Sequence, residues 1–330
     1  MALPINALGN TELQVSKIGL GLAALGRPGY INLGHGDDLA HDYVVDAMEG
    51  RTHRMLDLAY EKGVRYFDVA RSYGRAEQFL HSWLKKQSST DIIVGSKWGY
   101  IYTAEWKIEA EAHEIKRHTI EVLEKQWTES NILQPQLKLY QIHSATFESG
   151  VLENTAVLHK LAEIKSTGTA IGLTLSGTNQ AEVLEAAMLE RVDGVHLFDT
   201  VQATFNILEQ SAENALRQAS EAGMGIIIKE ALANGRLTPR NKKEGFAPTK
   251  AQLEAILETE NISMDMLSLA FVLSKPWVDT VLSGAAVEAH LSSNLAAGRV
   301  ELSPESLAHL QSLSQDPKMY WEERKSMTWN

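Results

Sequence analysis

Eight short runs rich in Val, Ile, Leu and Phe punctuate the chain: SKIGLGLAAL (16–25), VRYFDVA (64–70), DIIVGSKW (91–98), LKLYQIH (137–143), AIGLTLS (170–176), GVHLFDTVQA (194–203), GIIIKEAL (225–232) and VDTVLSGA (278–285). Runs of this length, apolar without alternation, suit strands buried on both faces. Between them, at 52–63, 75–86, 114–127, 158–168, 180–190 and 212–223, apolar positions recur every three or four residues. Several of these stretches close on Gly, which takes the left-handed backbone past a helix end at least cost. Strand followed by amphipathic helix predicts a parallel sheet covered on its outer face. Eight such strands within one domain over 1–330 predict a closed (β/α)8 TIM barrel, an α/β fold.

Two polar, Gly-containing excursions break the rhythm, at 27–50 after the first strand and at 233–249 after the seventh. They predict loops over one barrel mouth, where barrel enzymes place the segments that face substrate. Residues 263–276 (SMDMLSLAFVLSKP) predict an extra apolar helix, and 316–330 an irregular tail over the same mouth.

A length of 330 residues allows one barrel or two smaller domains, and the pattern favours the barrel. A formal net charge of −11 speaks against a nucleic-acid partner, which needs clustered Lys and Arg to displace counterions. The start MALPINALGN lacks a basic-then-apolar leader, and no apolar stretch approaches the roughly 20 residues of a membrane span, so the reading is a cytoplasmic protein without a membrane partner. With no cysteine, the sequence excludes disulfides, thiolate nucleophiles and Cys-zinc sites.

Charged and polar residues stand where apolar strands end: Asp68, Lys97, His143 and Lys229. Barrel strands all open on one face, so these positions converge without any local motif. Each alone fits a structural ion pair or a solvated strand end; four together point to a shared site. Tyr30 and Trp98 are candidate substrate contacts, while Tyr320, Trp321 and Trp329 of the tail read more readily as packing residues.

The segments GLGLAALG (19–26), FDVARSYGRAE (67–77), GSKW (95–98) and LYQIH (139–143) together resemble the aldo-keto reductase superfamily, and the resemblance runs over essentially the whole chain. It implies a catalytic tetrad of Asp68, Tyr73, Lys97 and His143, with Glu77 at the glutamate that follows the tyrosine. It further implies an NAD(P)(H)-dependent oxidoreductase that interconverts an aldehyde or ketone, sugars included, and its alcohol, without a metal. Barrel loops hold the cofactor in this family, so the lack of a Gly-rich dinucleotide turn is no objection. Gln202 and Thr174 would hold the nicotinamide carboxamide, with Lys229 and Leu232 beside it. LSGAAVEAHLSSNL (282–295) would wrap the adenosine phosphate with Asn294, aided by the amides of a helix starting near Val287. Gly284 and His290 stand where many members carry basic residues for a 2′-phosphate, and the family leans toward NADP(H) over NAD(H).

Four such side chains make chemical sense. Hydride addition to a carbonyl builds negative charge on oxygen, which calls for a proton donor beside it. A phenol titrates near 10, and an ammonium about 4 Å away at an effective dielectric of about 20 is worth about 4 kcal/mol, or about three pKa units. Lys97 is therefore expected to bring Tyr73 toward neutrality, with Asp68 orienting Lys97 and His143 donating to the substrate oxygen.

The sequence also departs from the family pattern. Leu175 replaces a carboxamide-binding Asn, and Lys229, followed by Glu230, replaces the aromatic that stacks on nicotinamide. A lysine there would repel the oxidised ring unless Glu230 neutralises it or it contacts phosphate or substrate. These departures keep two alternatives open: an NADPH-binding regulatory or sensor protein with little turnover, and a Schiff-base aldolase using Lys97 or Lys229. HEIKRH places His113 and His118 five apart, about 140° around a helix, which is poor zinc geometry. His35, Asp37, Asp38 and His41 of the first excursion read as a solvated polar loop, with metal or sugar contact the alternative. Gly19 and Gly74 read as turn or close-packing residues.

Overall fold

The computed structural model describes residues 3–330. Eight parallel strands close into a barrel in chain order: β1 (Ile18–Gly21), β2 (Tyr66–Asp68), β3 (Ile93–Trp98), β4 (Leu137–Ala145), β5 (Ala170–Leu175), β6 (Thr200–Thr204), β7 (Gly225–Lys229) and β8 (Thr280–Ser283). Pairing of β8 with β1 completes the ring. The fold is the expected (β/α)8 barrel.

Strand β7 illustrates why the runs are continuously apolar. Its residues alternate between two buried faces: Ile226 and Ile228 pack in the layer under the helices, whereas Ile227 points inward onto Tyr66 and Leu139. Leu8 and Val15 join that inner cluster from an N-terminal hairpin (Ile5–Ala7 with Gln14–Ser16) that plugs the amino end of the barrel. Asp279 ties the plug down, accepting from the amides of Gly9 (3.0 Å) and Ile226 (2.8 Å). Gly19 sits where a Cβ would come within 2.8 Å of the Tyr66 ring, so it is a close-packing glycine.

Around the barrel run α1 (Val45–Glu61), α2 (Ala76–Leu84), α3 (Ile120–Ser130), α4 (Thr155–Ser166), α5 (Gln180–Leu189), α6 (Glu213–Glu221), α7 (Ala247–Glu260), α8 (Met264–Leu273), α9 (Glu288–Ala296), α10 (Pro304–Ser312) and α11 (Pro317–Ser326). The extra apolar helix expected before the last strand is α8.

Four local expectations are corrected. The first excursion is shorter than it reads, because α1 begins at Val45 and His35–Asp38 form a helical turn. Residues 114–127 are not one helix: Glu114–Lys116 pair antiparallel with Tyr100–Tyr102, and α3 starts after the extended Thr119. His113 and His118 therefore flank a strand. The run 194–203 also divides, into a small hairpin at Arg191–Val192 and Val195–His196 and then β6. Between the two pieces, Asp199 turns its carboxylate to the Ile171 amide (2.9 Å) and to Lys165 (2.8 Å). Finally, the tail is helical. Asp316 accepts from the amides of Lys318 and Met319, and Pro317 occupies the first turn, so the Asp-Pro pair is the start signal that would have found α11.

Candidate active site

All eight strands deliver their carboxyl ends to one mouth, and a cavity of about 1210 Å³ opens there. Ordinary small-ligand pockets span about 300–1,000 Å³, so the space admits an extended ligand together with a second, smaller one. Asp68 at the end of β2, Tyr73 in the turn that follows, His143 in β4, Gln202 in β6 and Lys229 at the end of β7 all line it.

Asp68 is the hub. Its carboxylate accepts from the Lys97 ammonium, from the Tyr66 hydroxyl (3.1 Å) and from the Gln202 amide (2.8 Å). Lys97 lies behind the cavity wall, fully buried, and also donates to the Val69 carbonyl at 3.0 Å. Its ammonium is 5.0 Å from the centre of the Tyr73 ring. Burial lowers the Lys97 pKa and the Asp68 charge opposes that drop.

Tyr73 departs from expectation. Its phenol is held well above 10, first by burial and then by the negative charge of Asp68, while Arg27 pulls the other way. Asp68 claims the Lys97 charge so closely that little of it is left to favour a phenolate. The tyrosine is therefore a neutral phenol at physiological pH. Gly74, at φ +58°, makes the turn behind it, and a Cβ there would meet the Gly26 carbonyl oxygen at 2.5 Å.

The His143 ring packs edge-on against Tyr73 and Tyr100, with centroids 5.5 and 4.9 Å away. Burial, then the charges of Lys97 and Arg27, hold its pKa well below 6.5, so it is a neutral imidazole. Its Nδ1 lies 3.4 Å from the Ser72 hydroxyl. Glu77 lies outside the cavity, accepting from Ser96 (2.6 Å), Ser130 (2.7 Å) and Arg71 (2.5 Å).

Lys229 meets a hydroxyl rather than a carboxylate. It donates to Thr204 at 2.7 Å, and Thr204 contacts Glu230 at 3.2 Å. Glu230 itself is taken by Arg324 of α11 at 2.8 Å. Burial lowers the Lys229 pKa to about 8, with Glu230 the largest opposing influence. Arg324 and Lys229 together hold the buried Glu230 carboxyl far below the usual range.

Other positions divide. Leu232, Gly284, His290, Asn294 and Tyr30 line the cavity. Thr174 does not: it is buried one layer back, accepting from the Ser144 amide at 2.8 Å, and Ser144 forms the wall. Trp98 is fully buried against His118 and does not line the cavity, so the substrate contact expected of it is not found. Asp38 is not solvated either. Its side chain is 7% exposed and Arg240 grips both its oxygens, one at 2.8 Å.

Sequence reading missed Arg27, Tyr100 and Arg240 as cavity residues. Arg27 is buried, pairs with Glu114 at 2.9 Å, and lies 5.2 Å from the Tyr73 ring and 4.8 Å from that of Trp329. A charged residue at the edge of an apolar strand run is the signal that marks it.

A long cavity joining this polar centre to a helix N-terminus fits an extended dinucleotide. At the far end, α9 follows its N-cap Val287 without a side-chain cap, and Ala285 and Ala289 form the adjoining wall. Gly284 leaves open space where a Cβ would project.

Residues 17–315 match the sequence profile of the Aldo/keto reductase family. The chain belongs to that family. This aldo/keto reductase is 23% identical to aldo-keto reductase str7 of Strobilurus tenacellus, over 97% of this chain and 94% of that protein. It is 23% identical to the norsolorinic acid reductase of Aspergillus flavus, over 79% of this chain and 71% of that one. The holo form of aldo-keto reductase AKR11C1 from Bacillus halodurans shares its fold, with a TM-score of 0.74, 22% identity and coverage of 95% and 97% of the two chains. Membership makes the protein an oxidoreductase that works on small carbonyl compounds with a nicotinamide cofactor. Among the described residues no helix is long and apolar enough to cross a membrane.

Proposed function

We propose that this aldo/keto reductase reduces an aldehyde or ketone to its alcohol at Tyr73, with His143 as the second donor and the Asp68–Lys97 pair holding the site's charge. The observation that carries this reading is the meeting of four side chains from β2 and its turn, β3 and β4 at one cavity: a neutral phenol, a neutral imidazole and, at and behind the wall, a carboxylate neutralising a buried ammonium.

When bound, the cofactor supplies the hydride. Gln202, Lys229 and Leu232 would flank its nicotinamide end, and Gly284, His290 and Asn294 with the amides of α9 its adenosine end. Thr174 acts through Ser144, whose amide it holds.

The work of this chain is on oxygen. Charge that develops on the carbonyl oxygen is met by the Tyr73 hydroxyl, for which no hydrogen-bond partner stands among the described residues, and by His143. In the tautomer whose Nδ1 accepts from the Ser72 hydroxyl, 3.4 Å away, the ring carries its proton on Nε2 and donates from there. The Tyr73 proton passes to that oxygen, and with Lys97 offset by Asp68 the cation that favours the remaining phenolate is Arg27, 5.2 Å from the ring. A phenol kept neutral favours the reductive direction near pH 7. Tyr30, Tyr100, Trp321 and Trp329, interleaved with Arg27, Glu114 and Lys116, give the substrate side both apolar faces and fixed polar groups, which suits a hydroxylated carbonyl compound.

The test is Tyr73→Phe, assayed for NADH and NADPH binding by fluorescence and for turnover across aldehydes and sugars. Retained binding with turnover reduced by about 10²–10⁴-fold supports the assignment. A variant that turns over like wild type overturns it, and wild type that binds cofactor tightly yet reduces nothing on the panel favours the sensor reading.

A further inference from the structure

We infer that this enzyme binds NAD(H) in preference to NADP(H), because the end of its cavity at α9 presents carboxylates and no free cation. The inference rests on the cofactor placement proposed above. The two cofactors differ only in a 2′-phosphate, which carries a charge of about −1.5 to −2 near neutral pH and needs cationic partners where it is partly desolvated. A 2′-hydroxyl instead needs an acceptor, and a carboxylate is a strong one.

Among the described residues that α8, α9, the β8 turn and the two loops contribute to the cavity wall at this end, Arg240 is the only Lys or Arg. Its guanidinium is already committed. One nitrogen donates to Asp38 (2.8 Å) and to the carbonyls of Leu33 (3.0 Å) and Gly34 (3.2 Å), and the other to the second Asp38 oxygen. A phosphate could recruit Arg240 only by breaking that bidentate pair and leaving the Asp38 carboxylate, 7% exposed, beside the phosphate. His290 is no substitute. Its Nδ1 is 3.7 Å from the same Asp38, so any charge the ring gains is answered there. A second carboxylate, Asp265, lines the same wall; with the Asn294 amide oriented so that its oxygen takes the Ser283 hydroxyl (2.9 Å), its nitrogen donates to Asp265 at 3.1 Å.

The segment that turns from β8 into α9 completes the picture. Gly284, Ala285, Ala286 and Val287 offer backbone and no charge. Backbone amides at an uncapped helix start serve a phosphate common to both cofactors, so they do not discriminate. What discriminates is the side-chain set, and that set is acidic.

The experiment is equilibrium titration of the intact chain with NADH and NADPH, together with competition by 5′-AMP and 2′,5′-ADP, which isolate the adenosine end. The expected result is NADH bound at least ~10-fold more tightly than NADPH, and 5′-AMP a better competitor than 2′,5′-ADP. Asp38→Asn, which removes charge and loosens Arg240, and Asp265→Asn, which keeps shape and hydrogen bonding, should each narrow the NADH preference. Equal or tighter binding of NADPH by the wild type overturns the inference and leaves the proposed reaction standing. An NADH preference unmoved by both variants overturns its attribution to these carboxylates. Failure of folded wild type to bind either cofactor overturns both the inference and the site reading.

Discussion

Lys229 stands where the family resemblance implies a nicotinamide-stacking aromatic, and its surroundings give that side chain a titration. With only the Thr204 hydroxyl as direct partner and burial lowering its pKa to about 8, the side chain changes charge just above neutral pH. Below that value it is an ammonium in the wall where the nicotinamide would lie; above it, an amine. The oxidised nicotinamide is positive and the reduced one neutral, so repulsion falls on the oxidised form alone. Affinity for oxidised cofactor should therefore rise between pH 7 and pH 9 while affinity for reduced cofactor stays nearly flat. Lys229→Met should remove the slope, and fluorescence and calorimetric titrations at fixed ionic strength would measure it. Tyr73 carries the complementary lesson. The family resemblance implied a lysine nearby, but the sign of its effect depends on how completely Asp68 cancels that lysine, and this is a matter of distances.

At the scale of elements, α11 matters most. It closes the mouth with Trp321, Arg324 and Lys325 and is anchored at several points: Arg324 to Glu230, Glu323 to Arg236 (3.1 Å) and Lys243 (2.8 Å), and the Tyr320 hydroxyl to Asn206 (2.9 Å). Beyond it, Trp329 stacks flat on His113 at 4.0 Å. Arg324→Ala would leave the buried Glu230 carboxylate without its guanidinium, a change on the order of 3 kcal/mol. We expect faster amide hydrogen exchange across 317–326 in that variant and a raised KM for carbonyl substrates. The sign with pH follows from Glu230: its carboxyl is depressed, so the anchoring is complete above the ordinary carboxylate pKa and is lost only as pH falls through the depressed value. Exchange protection of α11 in the wild type should thus persist at pH 5.

On the scale of the whole molecule, the barrel separates stability from chemistry along its axis. The amino end is sealed by Leu8 and Val15 against Tyr66, Leu139 and Ile227, and the carboxyl end carries the cavity. Leu8→Ala removes a fully buried side chain from the sealed amino end. A cost of about 3–4 kcal/mol is expected, read as a lower thermal midpoint, with kcat per folded molecule unchanged. A comparable loss of kcat would mean that the two ends are mechanically coupled.

The sequence by itself determined the fold class and the main chemical types of the site. Continuous apolar runs can be satisfied only by burial on both faces, and polar residues at their ends can go only to the mouth. Asp68, Lys97 and His143 were legible because strand order and strand-end position are local properties that a closed barrel converts into proximity, whereas Tyr73 came with the family resemblance of FDVARSYGRAE. The tertiary structure decided what depends on which side chains meet. It withdrew Trp98 and Thr174 from the cavity wall, turned a seemingly solvated loop into the Asp38–Arg240 pair, folded the tail as α11, and reversed the expected shift at Tyr73. Those outcomes rest on contacts between residues up to about two hundred positions apart in the chain, as in the 202-residue separation of Asp38 and Arg240. Periodicity reports which face of an element is buried; it carries no record of the partner waiting there.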